Sequence, residues 1–206
     1  MPKIRKAIKV RLKTNLDTET RLSNFCGSAR FLWNKSLAMN LERLEKGHGI
    51  LWYNEMAFWL KLWKQSDEYA FLKECPSQVL QQKLMDQERA FRDCFDRTQP
   101  MKRLPVFKKR GDSDSIRYPQ GFRVDNRRIF LPKIGWVGFY KSREIEGRIK
   151  NITIRRTSPA VMFPKSRKVK LTIRTNSSKS SIIPTKVSIT PITRSIGLPL
   201  NTPLMP

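Results

Sequence analysis

The hydrophobic period changes twice along this chain, and no single-layer fold accommodates both changes. Residues 4–12 place Ile4, Ile8, Val10 and Leu12 among basic residues in strand-like alternation. From Asp17 to Lys46 the period becomes helical. Leu22, Phe25, Cys26, Ala29, Leu32, Trp33, Leu37, Leu41 and Leu44 recur at steps of three and four, one face of a long helix. Gly47-His48-Gly49 is a natural stop. A second helix is expected after Asn54, with Met56, Trp59, Leu60 and Trp63 as its apolar face and Phe58 and Leu62 widening it. A third opens at Cys75-Pro76-Ser77 and aligns Leu80, Leu84, Phe91 and Phe95. Thr98–Pro105 reads as a linker. Strand periods then return at Arg123-Val124, Arg128–Leu131, Trp136–Tyr140 and Arg148–Arg156, separated by turns at Asp125-Asn126 and Pro132–Gly135. A few short strands must close or be covered, so a small β-barrel is expected. Three helices on short links form a bundle set between the first strand and the others.

Beyond Thr157 the period fades. This last stretch holds seven of the chain's 13 prolines, many Ser and Thr, and one aromatic, Phe163. Such a segment buries too little apolar surface to offset chain entropy, so disorder is expected. The charge distribution is equally uneven. Lys and Arg number 42 against 17 Asp and Glu, a formal net charge of +25. All 17 acids lie at or before Glu146, and the residues that follow add twelve cations. Such a balance is the electrostatic footprint of a polyanionic partner, nucleic acid before an anionic membrane surface. No stretch approaches the length of a membrane span. Cys26, Cys75 and Cys94 lie far apart beside a single His48, which argues against zinc. An odd cysteine count, with no apolar export segment after the basic N-terminus, suits a reducing cytoplasm.

Several basic clusters are candidates for phosphate contact. They are Lys108-Lys109-Arg110 with Arg117, Arg127-Arg128 at a hairpin turn, and Lys3, Arg5, Lys6, Lys9, Arg11 and Lys13 on the first strand. Arg30 and Asn34 lie one turn apart on the first helix and share a face. Among the tryptophans, Trp33 and Trp136 read as core, as do Trp59 and Trp63 from their helical spacing. Trp52 is a possible stacking surface.

Longer motifs carry a resemblance. Tyr118-Pro119-Gln120-Gly121-Phe122, the run Arg128–Val137 and the run Arg143–Ile154 closely resemble the OrfB/TnpB family of bacterial insertion-sequence proteins. Gly27–Asn34 resembles its first-helix motif. Cys75–Gln82 and Arg89-Ala90-Phe91-Arg92 resemble a later helix. The resemblance covers residues 4–156, in order. It implies an RNA-guided DNA endonuclease or transposase whose N-terminal half sets a helical recognition bundle into a wedge-type β-barrel. It implies guide RNA and DNA as partners, no membrane, and work at the bacterial nucleoid. Tyr53, Gln81 and Gln120 match positions near where the family reads its DNA motif, and amide side chains suit base edges. Arg30 and Asn34 would enter the major groove in a helix-turn-helix reading. In the wedge-and-bundle reading they face guide RNA or another helix.

The family continues with a RuvC-like nuclease domain holding Mg²⁺ on Asp and Glu, with a zinc-binding insert. Thr157–Pro206 does not follow that pattern. Two-metal cleavage needs carboxylates, so no catalytic residue, metal or cofactor is expected in this chain. A shift of reading frame near residue 157, or a natural truncation with an acquired basic tail, would account for the change. The expected architecture is α+β. Its parts are a first barrel strand (1–14), a three-helix bundle (15–104), the remaining barrel strands (105–156) and a disordered or out-of-frame basic tail (157–206). The expected function is nucleic-acid binding by a truncated transposase without nuclease activity. The alternatives are a stand-alone regulator of a transposable element or the non-functional product of a frameshifted gene.

Overall fold

The computed structural model describes residues 3–111, 114–157 and 168–178. Its elements run β1 (Lys3–Lys13), α1 (Leu16–Glu45), α2 (Tyr53–Gln65), a 3₁₀ segment (Asp67–Lys73), α3 (Ser77–Phe95), β2 (Ser115–Tyr118), β3 (Arg123–Asp125), β4 (Arg128–Leu131), β5 (Gly135–Tyr140), β6 (Arg148–Thr157) and β7 (Lys168–Ser178). The architecture is α+β, with the helices inserted between β1 and β2.

Helix α1 spans 30 residues, about 45 Å at the rise of an α-helix. Asn15 caps its start, its side chain accepting from the Thr18 amide at 2.8 Å. Its end is a glycine-terminated double bond: Gly47 N donates to Leu44 O and His48 N to Arg43 O, with Gly47 at φ +73°. Helix α2 begins at Tyr53, two residues ahead of the start expected after Asn54, and is capped by Trp52, whose amide donates to Glu55 Oε2 at 2.8 Å. At α3, Pro76 is the cap residue itself and Ser77 the first helical position.

The seven strands form one antiparallel sheet in the order β2-β6-β7-β1-β5-β4-β3. The expected barrel takes the form of a curled half-barrel. Its concave side joins the helices in one core. Ile8, Val10 and Leu12 of β1 and Leu171 and Ile173 of β7 meet Leu22, Phe25, Leu32, Leu80 and Leu84 of the helices. A second cluster, Trp33, Leu37, Ile50 and Phe91, holds α1 against α3. Cys26 and Cys75 pack in the first of these cores as buried free thiols, and burial pushes each thiol up to about 12.

The expectation of disorder after Thr157 is corrected at Lys168–Ser178. This stretch is β7, paired with β6 on one side and β1 on the other. Its sequence alternates. Val169, Leu171, Ile173 and Thr175 are buried, while Lys170 and Arg174 are exposed. Residues 158–167 and 179–206 lie outside the described residues, as does the expectation made for them. Three further corrections concern strands. β2, not foreseen, forms the edge beside β6. In β6 the pairing skips Lys150, the extra residue of a bulge. Lys150 therefore turns outward, although alternation had placed it on the face of Ile152 and Ile154. Trp136, expected in the core, is 50% exposed.

Candidate nucleic-acid interface

The outward side of the sheet is built by strand parity. In β1, Ile8, Val10 and Leu12 point to the core, so Lys9, Arg11 and Lys13 point to solvent. Their cross-strand partners extend the row. Arg11 pairs with Lys170 of β7, which pairs with Arg155 of β6. Lys9 faces Thr172, and Thr172 faces Thr153. On the other side of β1, Arg11 pairs with Tyr140 of β5. The Arg11 guanidinium lies 5.9 Å and the Lys13 ammonium 4.8 Å from the Tyr140 ring centre. Gly138, opposite Lys13, leaves room for that side chain to lie across the strand: a Cβ there would sit 3.4 Å from Lys13 Cδ. Two residues before Gly138, Trp136 carries Phe130 edge-on at 5.6 Å and the Arg128 guanidinium at 5.5 Å. The seven strands hold a single carboxylate, Asp125, which bonds Arg128 at 3.2 Å. The outward side of the sheet is therefore cationic with exposed aromatics, and almost free of competing acids.

A second group of candidates gathers where α1 meets the segment leading into β2. Arg30 Nη1 donates to Asp114 Oδ1 at 2.9 Å, a pair with little solvent access. The Asn34 amide donates to Lys108 O and accepts from Lys108 N. Trp33 Nε1 donates to Val106 O. Thus three α1 side chains of one face, Arg30, Trp33 and Asn34, anchor Val106, Lys108 and Asp114. Lys108 Nζ rests 3.7 Å above the Trp33 ring. Burial, and then the charge of Lys83, push its pKa down to about 8. Lys83 is itself lowered by burial and donates to Ser115 O at 3.3 Å. Lys109 and Arg110, next along, are exposed.

The third group lies at the start of α3. Gly121, at φ +75°, brings the 119–122 loop against Gln78 and Pro132. Gln120 in that loop and Gln81, one turn beyond Gln78, are both exposed. Arg117 reaches Asp86 of α3 at 3.1 Å. Tyr53 opens α2 and is half-buried against the main core. Arg127 and Arg128 are exposed at the β3–β4 turn, where Asn126 takes φ +38°. The sequence candidates therefore fall into separate groups. Among the described residues, only Asn34 and Lys108 of these candidates are joined by a side-chain hydrogen bond. Arg155, Lys170, Arg174, Trp136 and Tyr140 were not among them, and strand parity was the signal that could have found them.

Among the described residues no three His, Cys, Asp or Glu side chains gather where a metal ion would sit. The Mg²⁺ and Zn²⁺ that the family resemblance implies therefore find no such ligand set among the described residues. No helix among the described residues is long and apolar enough to cross a membrane.

Residues 1–49 match the helix-turn-helix domain family of the OrfB type from IS605 elements. In this structure that span holds β1 and the unbroken helix α1, followed by its glycine turn. Over 150 residues, 72% of its length, the chain is 43% identical to "Putative RNA-guided DNA endonuclease InsQ" of Escherichia coli (strain K12). The matched stretch is 37% of that protein's length.

Proposed function

This chain belongs to the OrfB/TnpB family of insertion-sequence proteins, and on that premise we propose that it grips a guide RNA and the DNA motif beside a target. The helix-turn-helix match and the identity to InsQ support a transposase-related, nucleic-acid-binding role. The partners follow from the likeness to "Putative RNA-guided DNA endonuclease InsQ". The observation that carries the proposal is the outward side of the sheet, where Lys9, Arg11, Lys13, Arg155, Lys170 and Arg174 stand without an intervening carboxylate. Point charges in this arrangement neutralise phosphates and release counterions. Gln81 and Gln120, exposed at the α3–loop junction, supply the polar edges suited to a base motif.

Phosphodiester cleavage is not part of the proposed role of these 206 residues. Their carboxylates all precede Gly147, and several are held in ion pairs, among them Arg30–Asp114, Arg117–Asp86 and Arg128–Asp125.

The test is a binding titration of the purified chain against labelled RNA transcribed from the flank of its own coding sequence. If six to ten phosphates are engaged, affinity should fall roughly 10³- to 10⁵-fold between 50 and 200 mM salt. Failure to bind either that RNA or duplex DNA at 50 mM salt would refute the reading. Mg²⁺-dependent cutting by the same preparation would overturn its non-cleaving part.

A further inference from the structure

We propose that the outward side of the sheet takes an unpaired stretch of RNA, with bases stacked on Trp136 and Tyr140 and phosphates running over Arg128, Arg11, Lys170 and Arg155. The inference rests on the nucleic-acid-binding reading above and adds what it lacks, the conformation of the bound strand and the residues that select it.

Three observations point to unpaired bases. First, Trp136 and Tyr140 are 50% and 56% exposed. Both sit on a rigid strand whose alternate residues, Val137 and Phe139, are buried. Large aromatics held outward by strand parity present exposed ring surface, on which the bases of a single strand can stack. Second, each ring is already oriented. Trp136 is held by Phe130 at 5.6 Å and Arg128 at 5.5 Å, and Tyr140 by Lys13 at 4.8 Å and Arg11 at 5.9 Å. The cations that fix the rings are also the groups that would meet the phosphates beside a stacked base. Third, the two rings are four residues apart on β5, about 13 Å along the strand. That spacing suits nucleotides separated by about two steps of an extended backbone, and the Lys13 side chain, lying over Gly138 between them, supplies a cation on that path.

The charge pattern gives the track a direction. From Tyr140 the cross-strand row continues through Arg11 and Lys170 to Arg155. It crosses β1, β7 and β6 with no carboxylate on any of the three. Strand spacing of about 4.8 Å places successive cations within reach of successive phosphates. RNA is the occupant because the DNA of the proposed function is a duplex motif, whereas a guide RNA supplies unpaired loops and ends.

The test uses the full chain and three fluorescent probes: a 12-nucleotide oligouridylate, an RNA hairpin stem of equal charge, and a DNA duplex. Trp136→Ala and Tyr140→Ala should each weaken oligouridylate binding about 5- to 100-fold. Binding of stem and duplex should change by less than twofold. Trp136→Phe should restore most of the loss, which separates stacking from misfolding. The inference is overturned if both alanine variants bind oligouridylate like the parent, or if all three probes weaken together while Trp136→Phe gives no rescue. Unchanged oligouridylate binding with intact affinity for the flank RNA would leave the proposed function standing. Loss of binding to every probe by the parent chain would remove both.

Discussion

Arg30 and Asn34 share a face of α1, and both side chains end on the segment that leads into β2. Helical spacing located them correctly relative to each other. Their partners lie 74 to 84 residues away in the chain, a distance over which periodicity carries no information. Asp114 is almost fully buried, so its loss would strand the Arg30 guanidinium beside other cations. Asp114→Ala should cost about 3 kcal/mol, read by urea unfolding, with little change in slope. Lys108 makes a pH prediction. Its folded pKa of about 8 lies below the 10.5 of the free side chain. The unfolded chain therefore holds more protons between these values, and stability rises with pH across that window. The penalty is present in full below pH 8 and relieved toward pH 10.5. Lys108→Met should flatten the rise, measured as the difference in midpoint between parent and variant from pH 7.5 to 10. A rise of equal size in the variant would assign the effect elsewhere.

At the level of elements, β7 separates what composition reveals from what pattern reveals. Judged over fifty residues, its neighbourhood is rich in Ser, Thr and Pro and reads as unfoldable. Judged over the seven residues Val169–Thr175, it alternates apolar and polar like any half-buried strand. The short signal won because two neighbouring strands supply its hydrogen bonds. Trp136 was misread for a related reason: aromatic identity suggested the core, but the parity of Val137 and Phe139 fixes its direction outward. The long helices were legible because thirty or so residues repeat one period. The 3₁₀ segment and the four-residue strand β2 are too short to carry any. Leu171, fully buried in β7, provides the test. Leu171→Ala should destabilise the whole domain by about 2–5 kcal/mol in urea, while Arg174→Ser on the outward side should stay within about 0.5 kcal/mol. Gly121→Ala, at φ +75° and 3.3 Å from Pro132, should cost about 1 kcal/mol or more by the same measurement.

For the molecule as a whole, charge and sheet order work together. Several of the bundle's acids pair locally, and the cations of β6 and β7 converge on one surface with those of β1, although β1 lies more than 130 residues away in sequence. That convergence was not legible beforehand, because it depends on β7 entering between β6 and β1. Neutralising Arg11, Lys170 and Arg155 together to Gln should reduce the slope of log affinity against log salt for single-stranded RNA by about 2. A slope unchanged within error would mean that the strand runs elsewhere.

The interposed position of β7 also sets a timetable for synthesis. Strand β1 emerges from the ribosome first but finds its longest partner only after residue 178 has been made. Until then β2 with β6, and β1 with β5, β4 and β3, are two separate ribbons. The helices, whose contacts are local, can condense early, while the sheet must wait for nearly the whole described chain to leave the exit tunnel. Nascent chains halted before β7 should therefore remain protease-sensitive at β1, and those extended past it should become resistant in a single step.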